Sequence, residues 1–484
     1  MISSYKALIE AKCQSNPALL NLQAFLSASA ISPHGEQIIS LDFFPDGQGT
    51  TRTKLTTSQI SKEVHDNPHF NNATSHNKVG QILIVENISK ETMAELGSCL
   101  DIDPMFFASH IHSAWRNLDS LSPKFCELPS QTKAQNFATF PYHRSLVFPD
   151  INREDYKLLR LLNIRRKVIV LPPIQGRRIG LAQHCCSVMI VPGRKNTWLG
   201  LVLVDSPMQD NYISFRGKQE MYIKTPCAPL FHGTPEGLQM SCIPNLNTIS
   251  QERSLLEKLL ESWESSAQDF AKNGLNLKTL SYYPLRLIAT EWVNYIEVVR
   301  VSLRNNSSPP SNTTASPEDL ERIKSAVTSA SSWPRRVASS TVSLRRSVLF
   351  IKKHSRLDDN TTSWEALRDD YEYITASLVQ HGEQLQTSVL SVTMFLQLLE
   401  SRRVSSETKH VSRLTVLALT FVPLSFVSSL FSMNEVFSPG GPLFWVYFVV
   451  ATPLLITVFI LARSSQWGSV LIYNRVKGFI CSWK

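Results

Sequence analysis

At 484 residues the chain is too long for one small domain and has room for about three domain-sized units. A formal charge of +9 would suit nucleic acid, but no C₂H₂ spacing, no RNP-like strand and no Lys/Arg block with interleaved aromatics goes with it, so a nucleic-acid partner is excluded. The eight cysteines include no C-x-x-C pair, and Cys185-Cys186 are vicinal, which excludes a disulfide framework or zinc module and suits a reducing compartment.

Residues 1 to about 78 are poorly periodic. The weak apolar stretch Ala18 to Ala30 is interrupted by Asn21 and Gln23, so it is not expected to be a signal peptide. Asp46-Gly47-Gln48-Gly49 and the Ser/Thr/Asn-rich run after it read as loops. Gln81 to Val85 is a strand; Ser89 caps a helix that ends near Leu100 and carries Glu91 in its first turn. Asp103-Pro104 opens a second helix, Met105 to Trp115.

Strand-like runs follow at Ser145 to Phe148, Arg166 to Leu171, Cys186 to Val191 and Thr197 to Val204, the last two joined by a Pro192–Asn196 turn. Helices are expected at Ser250 to Lys272 and Pro284 to Leu303. Strands followed by helices give an α+β or α/β domain. His110 and His112 stand at i and i+2, which point to different sides of a helix, so they read as ordinary core or surface histidines. His184-Cys185-Cys186 has no further ligands at metal spacing. With no G-x-S-x-G, P-loop or G-x-G-x-x-G, the chain is not expected to be an enzyme, and no cofactor is expected.

Asn305 to Ala315 is a linker by composition, which leaves its two sequons unused in a reducing compartment. Ser316-Pro317-Glu318-Asp319 starts a helix that runs towards Trp333, where Pro334 breaks or kinks it. A basic helix with Arg335, Arg336, Arg345, Arg346, Lys352 and Lys353 follows, either a solvated face or a headgroup contact. Thr362-Ser-Trp-Glu365 is a capping box, and no Pro intervenes before Pro423, so one helix is predicted from Ser363 to Phe431. Its heptad a positions Trp364, Tyr371, Leu378, Leu385, Val392 and Leu399 are all apolar. The d positions Leu367, Ile374, His381, Ser388, Phe395 and Arg402 are apolar at three of six. Either a loose coiled-coil bundle or one helix packed on the domain's sheet would bury such a stripe.

Two uncharged apolar runs close the pattern, Leu414 to Phe431 and Leu443 to Ala462, each near the roughly 20 residues that cross a bilayer. Arg402, Arg403, Lys409 and Arg413 precede the first; Arg463, Arg475, Lys477 and Lys484 follow the second. The connection between them has no base, so both termini are expected to be cytoplasmic. On the first run Thr408, Val411, Thr415, Ala418, Val422, Ser425, Ser429 and Ser432 form a small, hydroxyl-bearing stripe. It is either a packing seam or the wall of a polar pore shared by several copies.

The segment RLTVLALTFVPLSFVSSLFSMN, Arg413 to Asn434, with Pro423 near its middle and the short loop and second apolar run behind it, resembles the CorA-like divalent-cation (Mg²⁺/Zn²⁺) transporter family. The family's motif at the end of the first span is Gly-Met-Asn; here Ser432-Met433-Asn434 stands in its place. The resemblance implies a pentamer of this chain whose first span lines the pore, with Asn434 holding a hydrated cation at the outer mouth through its water shell. Met433 shapes the turn and Glu435 is the loop's acid. It implies Mg²⁺ or another divalent cation as cargo and regulator, with acids such as Asp369, Asp370 and Glu372 available to bind it. The only partners expected are further copies of the chain, the bilayer and divalent cations. Asn434 is otherwise a helix C-cap, and Ser432 together with an acid-poor loop is what a non-transporting scaffold of the same fold would carry.

The expected architecture is an α+β cytoplasmic domain, a mixed sheet with helical layers over about residues 1–304. After the linker 305–315 come a helical stalk (about 316–412), a two-helix transmembrane hairpin (about 413–462) and a basic tail (about 463–484). The plasma membrane is the expected location.

Overall fold

The computed structural model describes residues 2–28, 35–45, 49–66, 78–112, 135–148, 157–171, 178–191, 197–206, 211–216, 219–224, 228–229, 254–306, 317–355, 362–432, 443–458 and 460. The chain divides into two units, Met1–Thr314 with Glu321–Val392, and Ala315–Leu320 with Thr393–Lys484.

The first unit is built on a mixed sheet. Its strands are β1 (Gln37–Phe43), β2 (Thr50–Leu55), β3 (Gly80–Glu86), β4 (Phe137–Phe148), β6 (Val168–Val170), β7 (Arg178–Val191), β8 (Trp198–Val204) and β11 (Ala228–Pro229). Among the described residues they lie in the order β11-β4-β7-β8-β3-β1-β2. β6 takes the edge of the first half of β7, which β8 leaves open because it pairs only from Cys186 to Val191. β3 and β8 are parallel, and the other pairs are antiparallel. β5 (Lys157–Arg160), β9 (Asn211–Arg216) and β10 (Gln219–Lys224) make a separate three-stranded sheet.

The large sheet is covered on both faces, which is why its central strands read as unbroken apolar runs and do not alternate. Ile82 and Ile84 of β3, with Val202 and Val204 of β8, face one core. Leu83 and Val85, with Leu201 and Leu203, face the other. The second core is closed by α1 (Ile2–Ser15), α2 (Leu20–Ser27), α4 (Lys90–Cys99) and α5 (Pro104–His112), with Ile60 of α3 (Thr57–Asp66). The first core is closed by α6 (Leu255–Ser265), α7 (Ala267–Asn273), α8 (Leu277–Asn306), α9 (Pro317–Ser355) and the first part of α10 (Thr362–Ser432). Trp263, Trp292 and Trp333 are fully buried in it.

Several expectations are corrected. The poorly periodic first 78 residues carry α1, α2, β1, β2 and α3, so the run after Gly49 that reads as loop forms β2 and α3; Asp46, Gly47 and Gln48 lie outside the described residues. Their helices are short, and β2 is an exposed edge strand, Thr-Thr-Arg-Thr-Lys-Leu, whose Arg and Lys leave no apolar alternation to read. The expected helix from Ser250 to Lys272 is two helices that break at Ser266. The first starts at a capping box, with Ser254 Oγ accepting from the Glu257 amide (3.1 Å) and Glu257 Oε2 accepting from the Ser254 amide (3.2 Å). Pro284 lies inside α8 instead of starting it, and Pro334 lies inside a continuous α9, so of the break or kink expected there the break does not occur. Asn305 and Asn306, assigned to the linker, end α8. Strands β4 and β7 are longer than the runs that suggested them, and β4 passes through Pro141.

The long helix is present as α10, beginning at Thr362 with Glu365 in its first turn. Up to Leu385 its apolar heptad positions are core of its own domain: Trp364, Leu367, Tyr371, Ile374, Leu378 and Leu385 are all buried with the sheet-covering helices. The single packed helix, and not a coiled coil between chains, therefore accounts for that stretch. Tyr371 donates to the Leu285 carbonyl of α8 (2.9 Å). At Gly382 a Cβ would stand 2.7 Å from Val337 Cγ1, so the Val337 side chain of α9 packs directly on the α10 backbone there.

Candidate ion pathway

In the second unit α10 runs on as an apolar helix long enough to cross a membrane. Pro423 lies inside it. Membrane helices tolerate such a proline when nearby hydroxyls and neighbours satisfy the freed backbone groups. A shorter apolar helix, α11 (Trp445–Val458), follows. Phe431 and Tyr447 meet edge to face, their centroids 6.1 Å apart.

Each helix has one covered face. On α10 it carries Thr420, Leu424, Val427 and Phe431, spaced four, three and four apart; on α11 it carries Tyr447, Ala451, Leu455 and Val458. Val427 and Ala451 are the buried apolar residues among those described in this unit. The small stripe Thr408, Val411, Thr415, Ala418, Val422, Ser425, Ser429 and Ser432 is exposed at every position. At about 100° per residue, Val427 lies about 160° round the helix from both Ser425 and Ser429. The stripe therefore faces away from the side where α11 touches α10. Sequence reading named the stripe and missed the covered face, although the Thr420–Phe431 spacing carried the signal.

Most of the stripe's hydroxyls back-bond to their own helix. Thr408 Oγ1 donates to the Val404 carbonyl (2.7 Å), Thr415 Oγ1 to Val411 (2.9 Å) and Ser425 Oγ to Val422 (2.9 Å). Each oxygen keeps lone pairs with which to accept from a water molecule. Ser432 is the last residue of α10. Met433, Asn434 and Glu435 lie outside the described residues.

Among the acids suggested as a regulatory site, Asp369 is engaged by Arg368 (3.1 Å) and Glu372 by Lys352 (2.8 Å). No group of three potential metal ligands occurs among the described residues.

The histidine motifs of the first unit are structural. His110 Nδ1 pairs with Ser187 Oγ (2.9 Å), its carbonyl accepts from Arg166 (3.0 Å), and burial pushes its pKa down to about 3. The His112 side chain lies outside the described residues. His184 stacks on Tyr142 and accepts from Arg160 Nη1 at Nε2 (2.8 Å); burial keeps it neutral. Cys186 is buried and its thiol is pushed well up, which suits an inert packing residue.

Residues 247–463, from just before α6 to just beyond α11, match the family model described as CorA-like Mg²⁺ transporter protein. The chain is CorA-like over this region. The family is one of transporters and not of enzymes. Both apolar helices and the whole hydroxyl stripe fall inside the CorA-like region, and the strands of the sheet fall before it. Two solved structures are similar at low identity. The CorA magnesium transporter from Methanocaldococcus jannaschii is 11% identical, with 88% of this chain and 97% of that chain covered and a TM-score of 0.35. The full-length CmaX protein is 13% identical, with 91% and 100% covered and a TM-score of 0.38. No curated protein matches the chain in sequence.

Proposed function

We propose that the chain is a membrane transporter of divalent cations, with Mg²⁺ the expected cargo, working as a homo-oligomer whose α10 lines the pathway. α10 and α11 form a transmembrane hairpin, and both termini are cytoplasmic. The observation that carries this reading is the uncovered stripe: α11 touches one side of α10, and the small hydroxyl-bearing positions lie on the other. Two helices cannot enclose a pore, so the stripe finds its complement in the same stripe of further copies, five of them if the family resemblance holds. Mg²⁺ gives up its hydration shell reluctantly. A narrow passage edged with hydroxyl oxygens, below a ring of Asn434 amides, suits a cation that keeps its water.

Ser432, where the family motif has Gly, favours a second reading, a non-transporting scaffold of the same architecture. A Gly there would let neighbouring backbones crowd at the mouth, whereas Ser brings a Cβ. Flux of Mg²⁺ into proteoliposomes separates the two. Transport predicts uptake by the natural chain, loss on Asn434→Ala, and unchanged or increased uptake on Ser432→Gly. Absence of uptake in all three supports the scaffold.

A further inference from the structure

Glu86 ends β3 on the face that carries Ile82 and Ile84, the face covered by α6. Its residue is 3% exposed, and its Oε1 has no hydrogen-bond partner. The charged groups that act on it electrostatically come from three elements: Glu257 in the first turn of α6, Arg160 at the end of β5, and Asp205 just after β8. The base is already committed, since Arg160 donates to Ser206 O (2.5 Å) and Gln183 O (3.2 Å) and faces His184 (2.8 Å). Asp205 accepts two bonds from Arg166 (2.8 and 3.0 Å) and one from the Cys185 amide (2.7 Å). Glu257 closes the capping box of α6. Glu86 thus ends a strand among partnered charges, two of them acids.

The next residue holds the chain in place. Asn87 has φ +56, a left-handed conformation uncommon outside Gly. It is fixed there by its amide on the Val204 carbonyl (2.9 Å) and by two bonds with Asn163 (3.0 and 2.6 Å). Glu86 therefore has little freedom to swing into water. Burial, then Glu257, push its pKa up to about 7.

We propose that Glu86 is a proton-operated latch between the sheet and α6, the first described helix of the CorA-like region. Protonated, it lets the first turn of α6 seat on the end of β3; ionised, it repels Glu257 and loosens that turn. The latch makes the packing at this junction follow the pH of the compartment that holds the sheet domain, whatever cation the protein carries.

The test uses the full chain in detergent micelles. Infrared difference spectra should show a buried carboxyl C=O band that titrates near pH 7 and is missing in Glu86→Gln. Amide exchange over residues 254–265, corrected for intrinsic rate, should speed up several-fold between about pH 6 and about pH 8, and stay slow at both in Glu86→Gln. Glu257→Gln keeps the capping acceptor but removes the opposing charge, so it should move the transition to lower pH. This second variant decides the matter if Glu86→Gln fails to fold. A carboxyl already ionised at about pH 6, or a transition that neither substitution alters, overturns the latch.

Discussion

Arg166 is the most demanding single residue in the first unit. It is 0% exposed, and burial works against its charge; the Asp205 carboxylate, bonded twice to the guanidinium, outweighs that and holds it charged. Such a pair adds little net stability over an apolar substitute, but breaking one side leaves a charge buried alone. Asp205→Ala is therefore expected to destabilise the protein by about 3–5 kcal/mol, seen as a lowered midpoint in denaturant titration. The sequence showed Arg166 only at the start of an apolar run, with nothing to tie it to Asp205, 39 positions on. The pairing exists because Cys185–Asp205 and Arg166–His110 contacts gather around the middle of β7, just beyond the end of β8. Ser432 and Asn434 are the opposite case: a motif between neighbours in sequence suggests them, and their role rests on that resemblance.

At the scale of elements, the starts of helices were legible wherever a side chain closes the first turn locally. Ser89 was found this way, and its Oγ accepts from the Thr92 amide (3.1 Å). Ser254 was missed although Ser254-x-x-Glu257 is the same signal, because the apolar run drew the helix start four residues too early. Ser254→Ala should cost about 1 kcal/mol, and Ser254→Thr should restore most of it, read by thermal unfolding. Prolines misled in both directions, since packing against the sheet holds α8 and α9 helical through Pro284 and Pro334. The meeting of α9 and α10 depends on a missing side chain. Gly382→Val would drive a β-branched group into Val337, and we expect a loss of about 1–3 kcal/mol, relieved in part by adding Val337→Ala.

The whole molecule should show stability that peaks in a narrow pH range. Burial holds His110 and His143 neutral, with folded pKa values of about 3 and about 4 against an ordinary 6.5. Their folded values are depressed, so the stability they allow is present above pH 6.5 and lost as pH falls towards 4. Each contributes a slope of about 1.4 kcal/mol per pH unit in that window. Glu86 acts in the other direction: its folded pKa is raised from 4.5 to about 7, so its contribution is full below 4.5 and lost as pH rises through 7. These histidines, with His184 and His354 depressed in the same direction, outweigh the one acid below pH 6.5, and the acid opposes them above it. Thermal midpoints measured across pH should therefore be highest at about pH 6.5, and the alkaline limb should flatten in Glu86→Gln.

The stripe makes its own prediction under the proposed function. Single cysteines at Thr415, Val422 and Ser429 should react with a membrane-impermeant thiol reagent and block Mg²⁺ flux. Cysteine at Val427 should be protected, because it lies on the covered face.

The residue order alone determined the apolar runs, the stripe on the first of them, the family likeness and the strand that carries QILIV. All of these follow from spacing along a single segment, and the physics of one helix or one strand reads them directly. Tertiary structure decided which of two good uses the heptad stripe of α10 would serve, because a buried stripe looks the same against a sheet or against a second copy. It also decided which charges share an interior and which side of the apolar part of α10 is covered. Those outcomes depend on contacts between residues far apart in the chain, where neither periodicity nor a local motif leaves a trace.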